Sequence, residues 1–316
     1  MDFRQLRIVF LGTPEFAVGS LEALVAAGCN IVGVVTAPDK PAGRGMKMSE
    51  SAVKKFAVAK GLKVLQPSRL RDEAFLEELR GLKAHLQVVV AFRMLPEAVW
   101  SMPPMGTINV HGSLLPAYRG AAPINWAIIN GEEETGVTTF KLKHEIDTGD
   151  ILLQKKIIIE PSDDAGSLHD KMKVAGAELL VQTIEGLAGG ELKEQQQNAM
   201  TAGKVWPHAP KIFTDTCSIN WEQPVKDIHN LIRGLSPYPG AFTYLNDKKL
   251  KIYKAVPEQA DHGKETGKVV SDGKQTLKFT APDGYISITE LQLEGKKRME
   301  TADFLRGYRV QNNEPI

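Results

Sequence analysis

The chain has 316 residues, 42% hydrophobic and 24% charged, with a formal net charge of +1. That length exceeds the usual size of one hydrophobic core, so two domains are expected, and the composition excludes disordered, fibrous and disulfide-stapled classes. The opening MDFRQLRIVF lacks the basic head and cleavage site of a signal peptide, and no run reaches the ~18 apolar residues of a membrane span, so a cytoplasmic protein without membrane contact is expected.

From the N-terminus, short β-type runs alternate with helical patterns: RIVFLG, FAVGSLEALVAAG, NIVGVVTA, SAVKKFAVAKG, LKVLQ and EAFLEELRGL. The next run, HLQVVVAF, is apolar nearly throughout, as befits a strand buried on both faces of a parallel sheet. Repeated β-α-β units imply a doubly wound α/β domain with a mostly parallel sheet, assigned to residues 1–188. In such sheets ligands bind beyond the carboxyl ends of the strands. The first β-α turn lacks the further glycines of a dinucleotide site. Thr13 reads instead as an N-cap, Pro14 as the first helical residue, and Glu15 as a first-turn charge that would repel a phosphate.

Residues 189–210, with a Gln run, a Gly pair and two prolines, read as an interdomain linker. Over 211–316 one helical pattern, PVKDIHNLIRGL, precedes the alternating runs AFTYL, LKIYKAV, TLKFTA and YISITELQL. Turn signals stand at Asn246-Asp247, Asp272-Gly273 and Asp283-Gly284. The expected architecture is a small open five-stranded barrel of OB-like type. Cys29 and Cys217 form no Cys-x-x-Cys pair and read as buried small hydrophobes.

Chemistry concentrates in two places. Within Thr107-Ile108-Asn109-Val110-His111, strand alternation turns Asn109 and His111 to one face near the strand's carboxyl end. An amide donor beside an imidazole suits acyl transfer, the amide stabilising an oxyanion and the imidazole handling protons. The pair alone also fits a polar strand end without chemistry. Asp147-Thr148-Gly149 supplies a carboxylate before a glycine turn, which equally fits a cap or an Asx-turn. A single Asp-Thr-Gly in an α/β chain does not fit an aspartic protease. His144-Glu145 is not a zinc-protease motif because Thr148 stands where a second His is required. No metal is expected.

Seven blocks in order carry a family resemblance: Gly12-Thr13-Pro14-Glu15-Phe16-Ala17-Val18, Pro38-Asp39-Lys40-Pro41-Ala42-Gly43-Arg44-Gly45, Asn109-Val110-His111-Gly112-Ser113-Leu114-Leu115-Pro116, Tyr118-Arg119-Gly120-Ala121-Ala122-Pro123-Ile124, Thr135-Gly136-Val137-Thr138, Asp147-Thr148-Gly149-Asp150 and Gly295-Lys296-Lys297-Arg298-Met299. Over essentially its whole length the chain resembles the methionyl-tRNA formyltransferases. Asn109, His111 and Asp147 alone would indicate only the wider folate-dependent formyltransferases, which include glycinamide ribonucleotide and UDP-amino-sugar enzymes. The Pro-Ala-Gly-Arg-Gly loop and the C-terminal barrel point to the tRNA enzymes.

The resemblance implies that these three residues form the catalytic trio and that 10-formyltetrahydrofolate is the formyl donor. It places this reduced folate along Phe92, Arg93, Met94 and Leu95, Lys143, His144, Glu145 and Ile146, and Ser113, Leu114, Leu115 and Pro116. Phe92-Arg93 departs from the commonest tRNA-enzyme pattern, Tyr-Gly, and is closer to the glycinamide enzymes. Initiator methionyl-tRNA would be met by Lys40, Arg44 and Lys47 of the loop and by Lys248, Lys249, Lys296 and Arg298 of the barrel, through salt-sensitive phosphate contacts. A monomer is expected. The runner-up acceptor is a UDP-amino sugar or another small amine.

Overall fold

The computed structural model describes residues 2–42, 47–201 and 203–310. The chain divides into two interleaved units, one of Met1–Gly120, Thr135–Ile158 and His169–His208, the other of Ala121–Glu134, Ile159–Leu168 and Ala209–Ile316.

The first unit is built on a seven-stranded sheet: β1 (Arg7–Gly12), β2 (Asn30–Val35), β3 (Val64–Leu65), β4 (Leu86–Val90), β5 (Thr107–His111), β6 (Glu134–Lys141) and β7 (Ile151–Ile158). The spatial order is β7-β6-β5-β4-β1-β2-β3. β3 through β5 pair in parallel, and β6 joins β5 antiparallel. The mostly parallel sheet agrees with the alternating sequence pattern. Strand order reverses beside β1, which places the opening for a ligand outside the carboxyl ends of the central strands.

Period-two alternation builds both layers. Ile8 and Phe10 of β1 face Ala17, Leu21 and Leu24 of α1 (Glu15–Ala26), Val53 and Ala57 of α2 (Ala52–Ala59), and Leu180 and Ile184 of the helix Ala165–Gly189. Val9 and Leu11 face the other way, onto Phe75, Leu76 and Leu79 of α3 (Glu73–Gly81). Every residue of β4 is buried, as its nearly continuous apolar run predicts, and the one polar residue, Gln87, accepts a hydrogen bond from the Thr107 hydroxyl. Each fully buried side chain of this kind contributes about 1.5–3 kcal/mol relative to exposure.

Helix α1 starts one residue later than its sequence indicates. Pro14 is the N-cap, with its carbonyl accepting from the Ala17 amide at 3.0 Å, and Thr13 makes no side-chain cap. The Thr13 carbonyl accepts the Val53 amide instead. Glu15 occupies the first turn, as expected.

In the second unit six antiparallel strands follow α4 (Val225–Leu235): β8 (Ala241–Leu245), β9 (Lys248–Gln259), β10 (Val269–Ser271), β11 (Leu277–Ala281), β12 (Gly284–Leu293) and β13 (Met299–Glu300). Their order is β8-β9-β12-β11-β10, with β13 on β12. The five expected strands are present, joined by the short β13. Asn246 and Asp247 both take positive φ, 49° and 62°, as a two-residue hairpin turn requires. Val225, Ile228, Ile232 and Leu235, spaced for one helical face, close the core over Leu250, Ile252, Phe279 and Ile286.

His229, on α4, is half-buried. Desolvation, with the Arg233 charge beside it, pushes its imidazole down to about 4, against the opposing pull of a hydrogen bond to the Ala255 backbone. Between about pH 6.5 and 4 the unfolded chain therefore binds a proton that the folded chain refuses. The stability associated with neutral His229 is complete above pH 6.5 and is lost as pH falls toward 4. Thermal unfolding at pH 7.5 and 5.0 should show a larger drop for the wild type than for His229→Gln; parallel drops would remove His229 as the cause.

Among the described residues no helix is long and apolar enough to cross a membrane, and no group of His, Cys, Asp and Glu could hold a metal ion. Cys29 and Cys217 are both buried free thiols.

Candidate active site

The site begins where β5 ends. Asn109 and His111 share a face of the strand. Across β6, Asn109 stands opposite Phe140 and His111 opposite Thr138. Asn109 is half-buried and His111 buried, with the Phe140 ring edge-on to the imidazole at 6.4 Å between centroids. The loop after β5 is braced from below. The Ser113 hydroxyl donates to the Ala117 carbonyl, and the Thr138 hydroxyl donates to the Ser113 carbonyl while accepting the Leu115 amide.

Asp147, 36 positions after His111, meets it in space. Its Oδ2 lies 3.8 Å from His111 Nδ1, and both side chains are largely shielded from solvent. The same oxygen accepts the Gly120 amide at 2.9 Å. On the other ring nitrogen, Nε2 lies 2.9 Å from the Tyr118 carbonyl. A carbonyl can only accept, so Nε2 carries a hydrogen and Nδ1 keeps the lone pair of the neutral ring. The basic nitrogen therefore faces Asp147 across a gap too long for a direct hydrogen bond. A proton arriving on Nδ1 would find a carboxylate beside it.

The backbone around Asp147 has been shaped for this. Asp147 takes φ +54°, a left-handed conformation that Asp tolerates better than most residues. Gly149 has no space for a side chain, since a Cβ there would lie 1.6 Å from the Lys141 carbonyl oxygen. The glycine of Asp-Thr-Gly is thus a close-approach residue. One partner of the turn was not among the residues expected from the sequence. Gln197, inside the segment read as a linker, is buried and donates to the carbonyls of Asp147 and Gly149. Its place in a run of three glutamines offers no sequence signal that separates it from Gln195 and Gln196.

The other residues expected at the donor site divide by environment. Met94 is 74% exposed and Ile146 61% exposed. Phe92, Leu95 and Leu142 pack against a single apolar cluster, which anchors both loops. Arg93 is occupied by the Ser68 and Pro67 carbonyls. Lys143 pairs with Asp150 at 2.7 Å, while His144 and Glu145 are exposed. Ser113 and Leu115 are fully buried, and Leu115 packs with Phe140 and Ile151 in the core. Their side chains support the loop, in which Pro116 is also buried and Leu114 half-buried.

Of the residues assigned to nucleic acid, Lys40 and Lys47 stand on the two strands of a short hairpin, Lys40–Ala42 with Lys47–Ser49. Arg44 lies outside the described residues. In the second unit Lys248 and Lys296 are exposed. Lys249 stands over the Phe242 ring at 4.2 Å. Arg298 is committed elsewhere: it pairs through two nitrogens with Glu290 and stacks on Tyr253 at 4.2 Å, which holds its guanidinium above the ordinary Arg range. A cleft of about 460 Å³ in this unit joins cations to rings, with Lys211, Lys249 and Lys251 beside Phe213, Tyr238 and Phe242. Tyr238 is 82% exposed and Phe213 63% exposed.

These features match known proteins along both units. Residues 6–184 fit the family described as formyl transferase, and residues 211–309 fit the formyl transferase C-terminal domain. The chain is 54% identical to methionyl-tRNA formyltransferase of Parabacteroides distasonis, over 98% of each chain. It is 49% identical to that of Flavobacterium johnsoniae, over 96% of each. Among solved structures it is similar in fold to an N-formyltransferase from Helicobacter canadensis in complex with folinic acid and dTDP-3-aminofucose (TM-score 0.67, 20% identity, 93% of this chain and 100% of that one). HypX from Aquifex aeolicus in complex with tetrahydrofolic acid gives a TM-score of 0.63 at 20% identity, covering 98% of this chain and 49% of that one. With near-complete coverage at about half identity, and the His-Asp pair and its Asn neighbour assembled at one strand end, the chain belongs to the methionyl-tRNA formyltransferase family.

Proposed function

We propose that the chain transfers the formyl group of 10-formyltetrahydrofolate to the α-amine of methionine on initiator methionyl-tRNA, using Asn109, His111 and Asp147. The observation that carries this reading is the His111–Asp147 pair beside Asn109 at the end of β5. The methionine nitrogen attacks the formyl carbon, and negative charge develops on the carbonyl oxygen. Asn109 donates to that oxygen. The attacking amine loses a proton to His111 Nδ1, the lone-pair nitrogen, and Asp147 stabilises the imidazolium so formed. That proton then goes to the departing folate nitrogen as its bond to the formyl carbon breaks, giving N-formylmethionyl-tRNA and tetrahydrofolate. A free α-amine has a pKa of about 7.7–8.0, so roughly a tenth to a sixth of a comparable amine is already neutral at pH 7, a useful fraction that needs no strong base.

In this reading residues 1–188 carry the chemistry, with the folate along the loops at 92–95, 113–116 and 143–146, and residues 211–316 hold the tRNA. The adjacency of lysines and exposed rings in the second unit's cleft supports the latter role, because cations meet phosphates and rings meet bases. Lys40, Arg44, Lys47, Lys248, Lys249 and Lys296 supply backbone contacts. Arg298, being tied to Glu290, contributes least.

Purified protein given 10-formyltetrahydrofolate should formylate methionyl initiator tRNA, with affinity falling as salt rises. A UDP-amino sugar and glycinamide ribonucleotide should remain unmodified. Product on either small amine and none on the tRNA would overturn the acceptor while retaining the folate chemistry.

A further inference from the structure

Gln197 is 1% exposed, and all of its amide's hydrogen-bonding capacity is used. Its Oε1 accepts from Arg119 Nε at 3.0 Å and from Arg119 Nη2 at 2.6 Å. Its Nε2 donates to the Asp147 carbonyl at 2.9 Å and to the Gly149 carbonyl at 2.8 Å. Chemistry alone fixes the amide's orientation. A guanidinium only donates, so the oxygen must face it; carbonyls only accept, so the NH₂ must face them.

Arg119 immediately precedes Gly120, whose amide donates to the Asp147 carboxylate. Hydrogen bonds and backbone therefore close a ring: Gln197 to Arg119, Arg119 to Gly120, Gly120 to the Asp147 side chain, and Asp147's own carbonyl back to Gln197. The ring encloses the residue whose carboxylate lies 3.8 Å from His111 and whose backbone is left-handed.

We infer that Gln197 is a positioning residue for formyl transfer, setting the Asp147 turn so that one carboxylate meets both the Gly120 amide and the His111 imidazole. The inference rests on the roles given above to Asp147 and His111. Gln197 touches no reacting atom. It acts through the turn, and its amide NH₂ is the group that matters.

Gln197→Glu is the informative substitution. It keeps the volume and the Arg119 contact but replaces the donor facing two carbonyls with an oxygen. In steady-state formylation of methionyl-tRNA, kcat should fall roughly 10–100-fold, with KM for folate and tRNA within about two-fold of wild type, as misplacing a catalytic group predicts. A residue that merely fills space would leave kcat unchanged. In an Asp147→Asn background the same substitution should cost less than about two-fold more, because the group it positions has lost its charge. If Gln197→Glu does not fold, Arg119→Lys provides the same cycle, since a lysine cannot reproduce the two-nitrogen grip on the amide oxygen. Wild-type kcat in Gln197→Glu beside an impaired Asp147→Asn would overturn the inference alone, as would a loss that multiplies undiminished in the Asp147→Asn background. Full activity of Asp147→Asn would overturn the catalytic reading and the inference with it.

Discussion

Replacing His111 by alanine should lower kcat roughly 10²–10⁴-fold, the usual worth of a positioned general acid–base, and leave tRNA affinity within about two-fold. The expectation follows from which nitrogen is available. With Nε2 committed to the Tyr118 carbonyl, Nδ1 is the ring's basic atom, and it faces the Asp147 carboxylate. Removing the ring removes the proton acceptor and leaves Asp147 facing a space, still fixed by Gly120 and the Gln197 clamp. Binding surfaces elsewhere are untouched, so the loss should appear in kcat and kcat/KM together. Comparing single-turnover formylation with filter binding of methionyl-tRNA tests this directly. Undiminished turnover would remove His111 from the mechanism, and a loss matched by weakened binding would assign it to the substrate instead.

The framework of the first unit was legible because its signals are local. Apolar residues on both faces of β1 and the nearly continuous apolar run in β4 announce strands covered on both faces, and these are the strands on which the core closes. The spacing of Asn109 and His111 was equally readable, since two positions along a strand share a face. Asp147 could be marked as a reactive residue type before a glycine turn, but its approach to His111 depends on β6 running back beside β5, and no local pattern encodes that pairing. Gln197 was hidden for a stronger version of the same reason. Its neighbours Gln195 and Gln196 are exposed, and tertiary partners, the Ile151–Gln195 backbone bridge, the Asp147 turn and Arg119, distinguish the buried glutamine from them. Thr13 shows the converse error, in which a good local cap sequence yields to the Pro14 carbonyl starting the helix one residue on.

Asn109→Ala should reduce kcat about 10²–10³-fold, or about 2.7–4 kcal/mol of transition-state stabilisation, the range for losing one oxyanion donor. The argument turns on when the hydrogen bond matters. The formyl oxygen carries little charge before attack and nearly a full one in the tetrahedral intermediate, so an amide aimed at it binds the transition state more strongly than the substrate. A half-buried position strengthens the interaction relative to one in open water. KM for the folate should therefore change little while kcat and kcat/KM fall together. Asn109→Asp sharpens the test, because it preserves shape and reverses the electrostatics: a carboxylate beside a developing oxyanion should cost at least as much as the alanine. A rise in folate KM at unaltered kcat would mean that Asn109 holds the donor in its ground state, and the oxyanion would then have to be met by other groups around the end of β5. Equal and independent losses for Asn109→Ala and His111→Ala are not expected either. Both act on one intermediate, so the double variant should retain more activity than the product of the two single losses predicts.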